Sequence, residues 1–318
     1  MKAPKDSRLK FAKEFLRKQI KHFLSSLLPK AATGRVFSGI AIFFMCTLLF
    51  LPSPGMSEEP YLSVLCGAAF SKPFDEIATS FQRERGIKVY ITYASVPSLL
   101  AQLKLGRRGD ILVTPTQDLM VRAMETGLVV ASSVRIFAYM VPVIAVQKGN
   151  PRGIKGIHDL AGKGIRIALA DPEAVYIGNL AAEIMEKNLS GEELKKVRSN
   201  VVTYMEDFSK LTTTLILKQV DAIISFHYLQ QWHPEKIEII KLKPKEVQRI
   251  GVGQAAIISY SQIKVAAQAF LEFLNSKEAK IIFTKYQYFN SPEETGQWIG
   301  ARKPIGGEYK ISPDWMRR

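Results

Sequence analysis

The sequence has few of the residues that build covalent or metal-based frameworks. Its 318 residues include two cysteines, Cys46 and Cys66, which excludes a disulfide-built scaffold and a four-thiolate zinc site. Its four histidines, His22, His158, His227 and His233, lack metal-ligand spacing. No G-x-x-x-x-G-K-[ST] phosphate loop occurs. The stretch GVGQAA at Gly251–Ala256 mimics a dinucleotide fingerprint, but its glycines lead into a strand pattern instead of out of one. There is no internal repeat and no low-complexity tract. No nucleophile–base pair or acid pair stands out. The expectation is therefore a binding protein and not an enzyme, with no cofactor.

Charge of one sign is in excess, but unevenly. The net charge is +15. Residues 1–35 hold ten Lys/Arg against Asp6 and Glu14, and the remaining 283 residues hold 34 basic and 27 acidic side chains. About half of the excess sits in the leader, so no nucleic-acid partner is expected. Residues 36–51 (VFSGIAIFFMCTLLFL) are uncharged. Sixteen residues suit a signal-peptide core better than a membrane span, which needs ~20. Basic residues before the run and Glu58-Glu59 after it direct the rest of the chain outward. Residues 1–57 are read as a basic leader that is either cleaved after Ser57 or kept as a membrane anchor. Within it, Leu9, Ala12, Leu16, Ile20, Phe23 and Leu27 share one face of a basic amphipathic helix suited to an anionic membrane surface. A long n-region, or a later translation start, explains the same pattern.

From residue 60 strand and helix patterns alternate. The spacing predicts strands at Tyr61–Ala68, Ile87–Tyr93 and Asp110–Val113, with helices at Phe70–Arg85, Ser98–Leu105 and Gln117–Gly127. This series implies a parallel sheet with helices on both faces. After an apolar stretch across Pro142 the alternation restarts. Strands are expected at Ile165–Leu169, Val201–Met205, Val220–Phe226, Ile237–Leu242 and Gly253–Ser259. Helices are expected at Ala174–Leu189 and Phe208–Lys218, with one long helical region at Gln262–Tyr288. Residues 291–318, with Trp298 and Trp315, read as a tail over the surface.

Four strand-to-helix junctions carry small, hydroxyl or capping residues: Gly67–Ser71, Ala94–Ser98, Ala170–Glu173 and Asp207–Ser209. Each alone is explained by ordinary capping. Together they suit an anion, because ligands of parallel sheets sit beyond the carboxyl ends of strands, where helix N-termini offer bare N–H groups.

The segments CGAAFSKPFDEIATSFQRERGIKVYITYASVPSLLAQLKLGRRGDILVTP, GNPRGIKGIHDLAGKGIRIALADPEAVYIG and KQVDAIIS resemble the molybdate/tungstate-binding proteins of ABC importers, over roughly residues 61–289. The resemblance implies an α/β, two-lobed periplasmic-binding-protein fold (type II), each lobe a mixed, mostly parallel sheet with helices on both faces. It implies lobe 1 at residues 58–138 plus 245–290 and lobe 2 at 139–244. It also implies a monomeric receptor outside the cytoplasmic membrane that passes a small tetrahedral oxyanion to a permease. A membrane-anchored sensor of the same fold, or a receptor for another small anion, is the alternative. Carried over residue by residue, the family's first ligand serine falls on Ala69, with Ser71 two residues on. Its second falls on Val96, flanked by Ser95 and Ser98. Its backbone donors fall on Ile177 and Phe208, and its tyrosine falls on Ser225.

Overall fold

The computed structural model describes residues 61–315. The leader readings, including the 8–28 amphipathic helix and the 36–51 run, lie outside the described residues. No described helix is long and apolar enough to cross a membrane. By their contacts residues 59–318 form one compact unit.

Two five-stranded mixed sheets organise that unit. The first is ordered β2-β1-β3-β10-β4, from β1 (Tyr61–Gly67), β2 (Lys88–Ala94), β3 (Ile111–Thr114), β4 (Arg135–Met140) and β10 (Gly251–Ile257). The second is ordered β7-β6-β8-β5-β9, from β5 (Pro142–Gln147), β6 (Ile167–Ala170), β7 (Val201–Met205), β8 (Ala222–Phe226) and β9 (Ile237–Ile240). In each sheet the first three strands in this order run parallel. In each, the fourth runs antiparallel to its neighbours. That reversed strand is the one that arrives from the other sheet: β5 follows β4 across Val141, and β10 follows β9 across residues 241–250. The short central strands β3 and β8 are buried along their whole length, as expected for strands covered on both faces.

Helices fill the crossovers: α1 (Ser71–Arg85), α2 (Val96–Gly106), α3 (Gln117–Glu125), α4 (Tyr176–Asn188), α5 (Gly191–Asn200), α6 (Phe208–Ile216) and α7 (Leu229–Trp232). Phe74, Ile77 and Phe81 give α1 its buried stripe, and Gly86 ends it at φ +70°. The expected long helix at Gln262–Tyr288 is two helices, α8 (Lys264–Leu274) and α9 (Lys277–Lys285). The break has a local cause: Ser276 caps α9, its hydroxyl accepting from the Ala279 N–H at 3.2 Å. Helix α5 was not foreseen, although Ser190 and Glu193 form a capping box at its start.

The last segment is held mainly by α4. After α10 (Pro292–Ile299), Ile305 bridges to Ile250. Asn179 of α4 exchanges two hydrogen bonds with the Tyr309 backbone, at 2.8 and 3.0 Å. Glu186 accepts from the Tyr309 hydroxyl at 2.7 Å and from the indole N–H of buried Trp315. On the other side, Glu308 takes both guanidinium contacts from Arg122 of α3 at 2.9 Å.

Candidate functional site

A small cavity of about 30 Å³ lies where the carboxyl ends of strands from both sheets meet. The first sheet contributes Gly67 and Ala69 after β1, Ala94 to Val96 after β2, and Pro115, Thr116 and Leu119 after β3. The second contributes Ala174 to Ile177 after β6, Asp207 and Phe208 after β7, and Phe226 at the end of β8. No Lys or Arg lines it, and Asp207 is its one charged wall residue.

The polar resource of this cavity is backbone. The 3₁₀ turn at Ala68–Phe70, helix α2 and helix α4 all begin at the wall, and no side chain caps their N-termini. Their first amides therefore remain available as donors. Helix α6 differs, because the Asp207 carboxylate accepts from the N–H groups of Ser209 at 2.7 Å and Lys210 at 3.2 Å. That cap engages the second and third amides and leaves the first, on Phe208, at the wall. Four positive helix or turn ends thus converge on one small volume, an arrangement that attracts a dehydrated anion without a matching cation.

Gly178 shows why α4 reaches the wall. A Cβ there would lie 2.4 Å from the Ala170 carbonyl oxygen and 2.8 Å from that of Asp171. Only glycine lets the first turn of α4 press against the end of β6.

The residues singled out from sequence divide into two groups. Ala69, Ser95, Val96, Ile177 and Phe208 line the cavity. Ser71, Ser98 and Ser225 do not. Ser71 opens α1, and its carbonyl accepts from the Tyr93 hydroxyl at 3.0 Å. Ser98 is exposed, with its Oγ 2.8 Å from that of Ser95. Ser225 is fully buried with an unbonded hydroxyl. Strand alternation turns neighbouring side chains to opposite faces, and in β8 it is Phe226 that reaches the cavity. Thr116, Leu119, Tyr176 and Phe226 were missed. The junction after β3, Thr114–Thr116, carries hydroxyl residues like those at Gly67–Ser71, Ala94–Ser98 and Asp207–Ser209.

Two tyrosines outside the cavity lining clamp the carbonyl of Ala69, one of its wall residues. Pro73 has no N–H to give the Ala69 carbonyl four residues back. The hydroxyls of Tyr228 (3.0 Å) and Tyr288 donate to that carbonyl instead, and the two rings stack at 4.3 Å. The Lys72 ammonium donates to the Trp232 carbonyl and sits over its ring. Behind the clamp, buried His227 accepts from the Val141 N–H at 3.2 Å and pairs through Nε2 with the Gln287 carbonyl. Burial pushes its pKa down to about 4.

The model of the family described as bacterial extracellular solute-binding protein matches residues 62–288. The chain belongs to that family. It is therefore a solute-binding protein and not an enzyme. It is 21% identical to the molybdate-binding protein ModA of Escherichia coli (strain K12) over 259 residues, 80% of this chain and 96% of that one. It is also 21% identical to a Bacillus subtilis protein named as an ABC transporter substrate-binding lipoprotein, covering 80% of this chain and 99% of the other. Among solved structures, the sulfate-binding protein SubI of Mycobacterium tuberculosis superposes with a TM-score of 0.68 at 15% identity, over 78% of this chain and 94% of that one. This last likeness is one of fold. The two-sheet architecture expected from sequence is the architecture of these binding proteins.

Proposed function

We propose that this solute-binding protein captures a tetrahedral oxyanion outside the cytoplasmic membrane and delivers it to the permease of an ABC importer, with molybdate or tungstate as the inorganic candidates. The observation that carries the reading is the convergence of four N-terminal helix or turn ends on a cavity with no Lys or Arg in its wall. Such donors favour a fully deprotonated anion, and the cavity's dimensions then discriminate by ion radius. Relatives named for molybdate binding and for ABC transport support the ligand class and the partner. We place lobe 1 at residues 58–138 plus 245–290 and lobe 2 at 139–244, with the ligand between them.

The test is calorimetry with molybdate, tungstate, sulfate and phosphate at equal concentration. Molybdate or tungstate should raise the melting temperature, and sulfate much less. Binding to the folded state alone stabilises it by about 2.7 kcal/mol at a hundredfold excess over Kd. No heat with any oxyanion, inorganic or organic, removes the reading.

A second reading keeps the oxyanion but attaches it to an organic arm. It is favoured by the methyl groups of Ala69 and Val96, which stand where the family resemblance places hydroxyl donors. A bare dianion is held less well by such a wall than an oxyanion with an additional point of attachment.

A further inference from the structure

A second cavity of about 40 Å³ adjoins the first, and Thr116, Leu119, Ala174, Val175 and Tyr176 wall both. Its chemistry is opposite. Its remaining walls carry Asp118, Arg122, Glu173 and Glu308. Arg122 and Glu308 neutralise one another through their double contact at 2.9 Å. Asp118 and Glu173 are left as the net charge of the cavity. Nearby, Arg249 is committed to Glu183, at 2.7 and 2.8 Å.

Tyr176 ties the two cavities together. Its side chain is 7% exposed, and its enclosed hydroxyl has no hydrogen-bond partner. Burial raises its pKa, with Arg249, Asp118 and Glu183 as the charged groups around it. A buried hydroxyl left unpaired in the free protein is costly, and a ligand group reaching it would remove the cost. Asp118 is half-buried, and burial together with the Glu308 charge raises its carboxyl pKa. A cation beside it would reverse both penalties.

We propose that the ligand is a zwitterion, an oxyanion head seated on the helix N-termini and joined by a short arm to an ammonium group held by Asp118 and Tyr176. This deepens the reading given under Proposed function and rests on it. The two cavities share five wall residues, so a short arm spans from one to the other. The ammonium supplies donors to the Asp118 carboxylate and the Tyr176 oxygen, and the Arg122–Glu308 pair closes the far side.

The test is calorimetry on the full-length chain with 2-aminoethylphosphonate, ethylphosphonate and molybdate. The expected result is that 2-aminoethylphosphonate binds at least tenfold more tightly than ethylphosphonate. Asp118→Asn should erase that preference, and Tyr176→Phe should reduce it several-fold. Equal affinity for the two phosphonates, or an equal loss for both in Asp118→Asn, overturns the proposal. Binding of molybdate without either phosphonate overturns it too and leaves the oxyanion reading standing. Failure of every oxyanion to bind overturns both.

Discussion

At Ala69 two demands meet in one residue. Its side chain faces the anion cavity as a methyl group, and its carbonyl, freed by Pro73, takes the hydroxyls of Tyr228 and Tyr288. Restoring hydroxyls with Ala69→Ser and Val96→Ser should tighten oxyanion binding. One charge-assisted hydrogen bond is worth ~1.5–3 kcal/mol, roughly ten- to a hundredfold in affinity, and calorimetry reads it directly. Ser95→Ala should weaken binding, and Ser98→Ala should do so less, because only Ser95 lines the cavity. Tyr228→Phe or Tyr288→Phe alone leaves the Ala69 carbonyl one donor. The double variant leaves it unpaired and should lose about 1–3 kcal/mol in urea unfolding. The family resemblance pointed to Ala69, Val96 with its neighbour Ser95, Ile177 and Phe208, and all but Ile177 also fall in strand-to-helix junctions that the sequence marks by itself. Ser225 could not be placed that way. Its register within β8, one position from Phe226, is set by pairing with Val143 and not by local spacing.

The elements act by presenting their ends. Helix α4 brings its N-terminus to the cavity only because Gly178 lies against the Ala170 and Asp171 carbonyls. Gly178→Ala should displace that first turn, lowering the melting temperature and weakening anion binding together. The crossing segments depend on His227, wedged between the Val141 N–H and the Gln287 carbonyl and stacked on Phe289 at 4.4 Å. Its pKa of about 4 in the folded chain lies below the free value of 6.5. Neutral His227 therefore contributes its full stability above pH 6.5. That contribution is lost as pH falls from 6.5 toward 4, where the unfolded chain takes up the proton first. The total is of order 3 kcal/mol. Urea midpoints measured across that range should fall, and His227→Gln should flatten the fall. Most strands were legible from apolar runs bounded by glycine and proline. The 275–276 break was not, because Asn275-Ser276 sits inside a continuous helical apolar pattern and only the Ser276 cap interrupts it.

At the scale of the whole molecule, charge and hydropathy assign different work to the two ends of the chain. The leader carries ten basic residues before an uncharged run at 36–51, whereas residues 59–318 form a compact unit of their own. Full-length protein should therefore sediment with membranes, and residues 58–318 alone should stay in solution. Two signals in series predict a graded result. Deleting 36–51 should leave a weaker association with anionic vesicles, and replacing Leu16, Ile20 and Phe23 by Gln should remove it, because burial of that apolar face drives surface binding. N-terminal sequencing of the native protein then separates the two fates of the leader. A start near Glu58 means a cleaved signal and a receptor that must diffuse to its permease. A start at Met1 means an anchor that holds the oxyanion site beside the membrane, where tethering raises the effective concentration of receptor at the permease. A start between residues 30 and 36 means that residues 8–28 are absent from the mature chain and contribute nothing to its association with membranes.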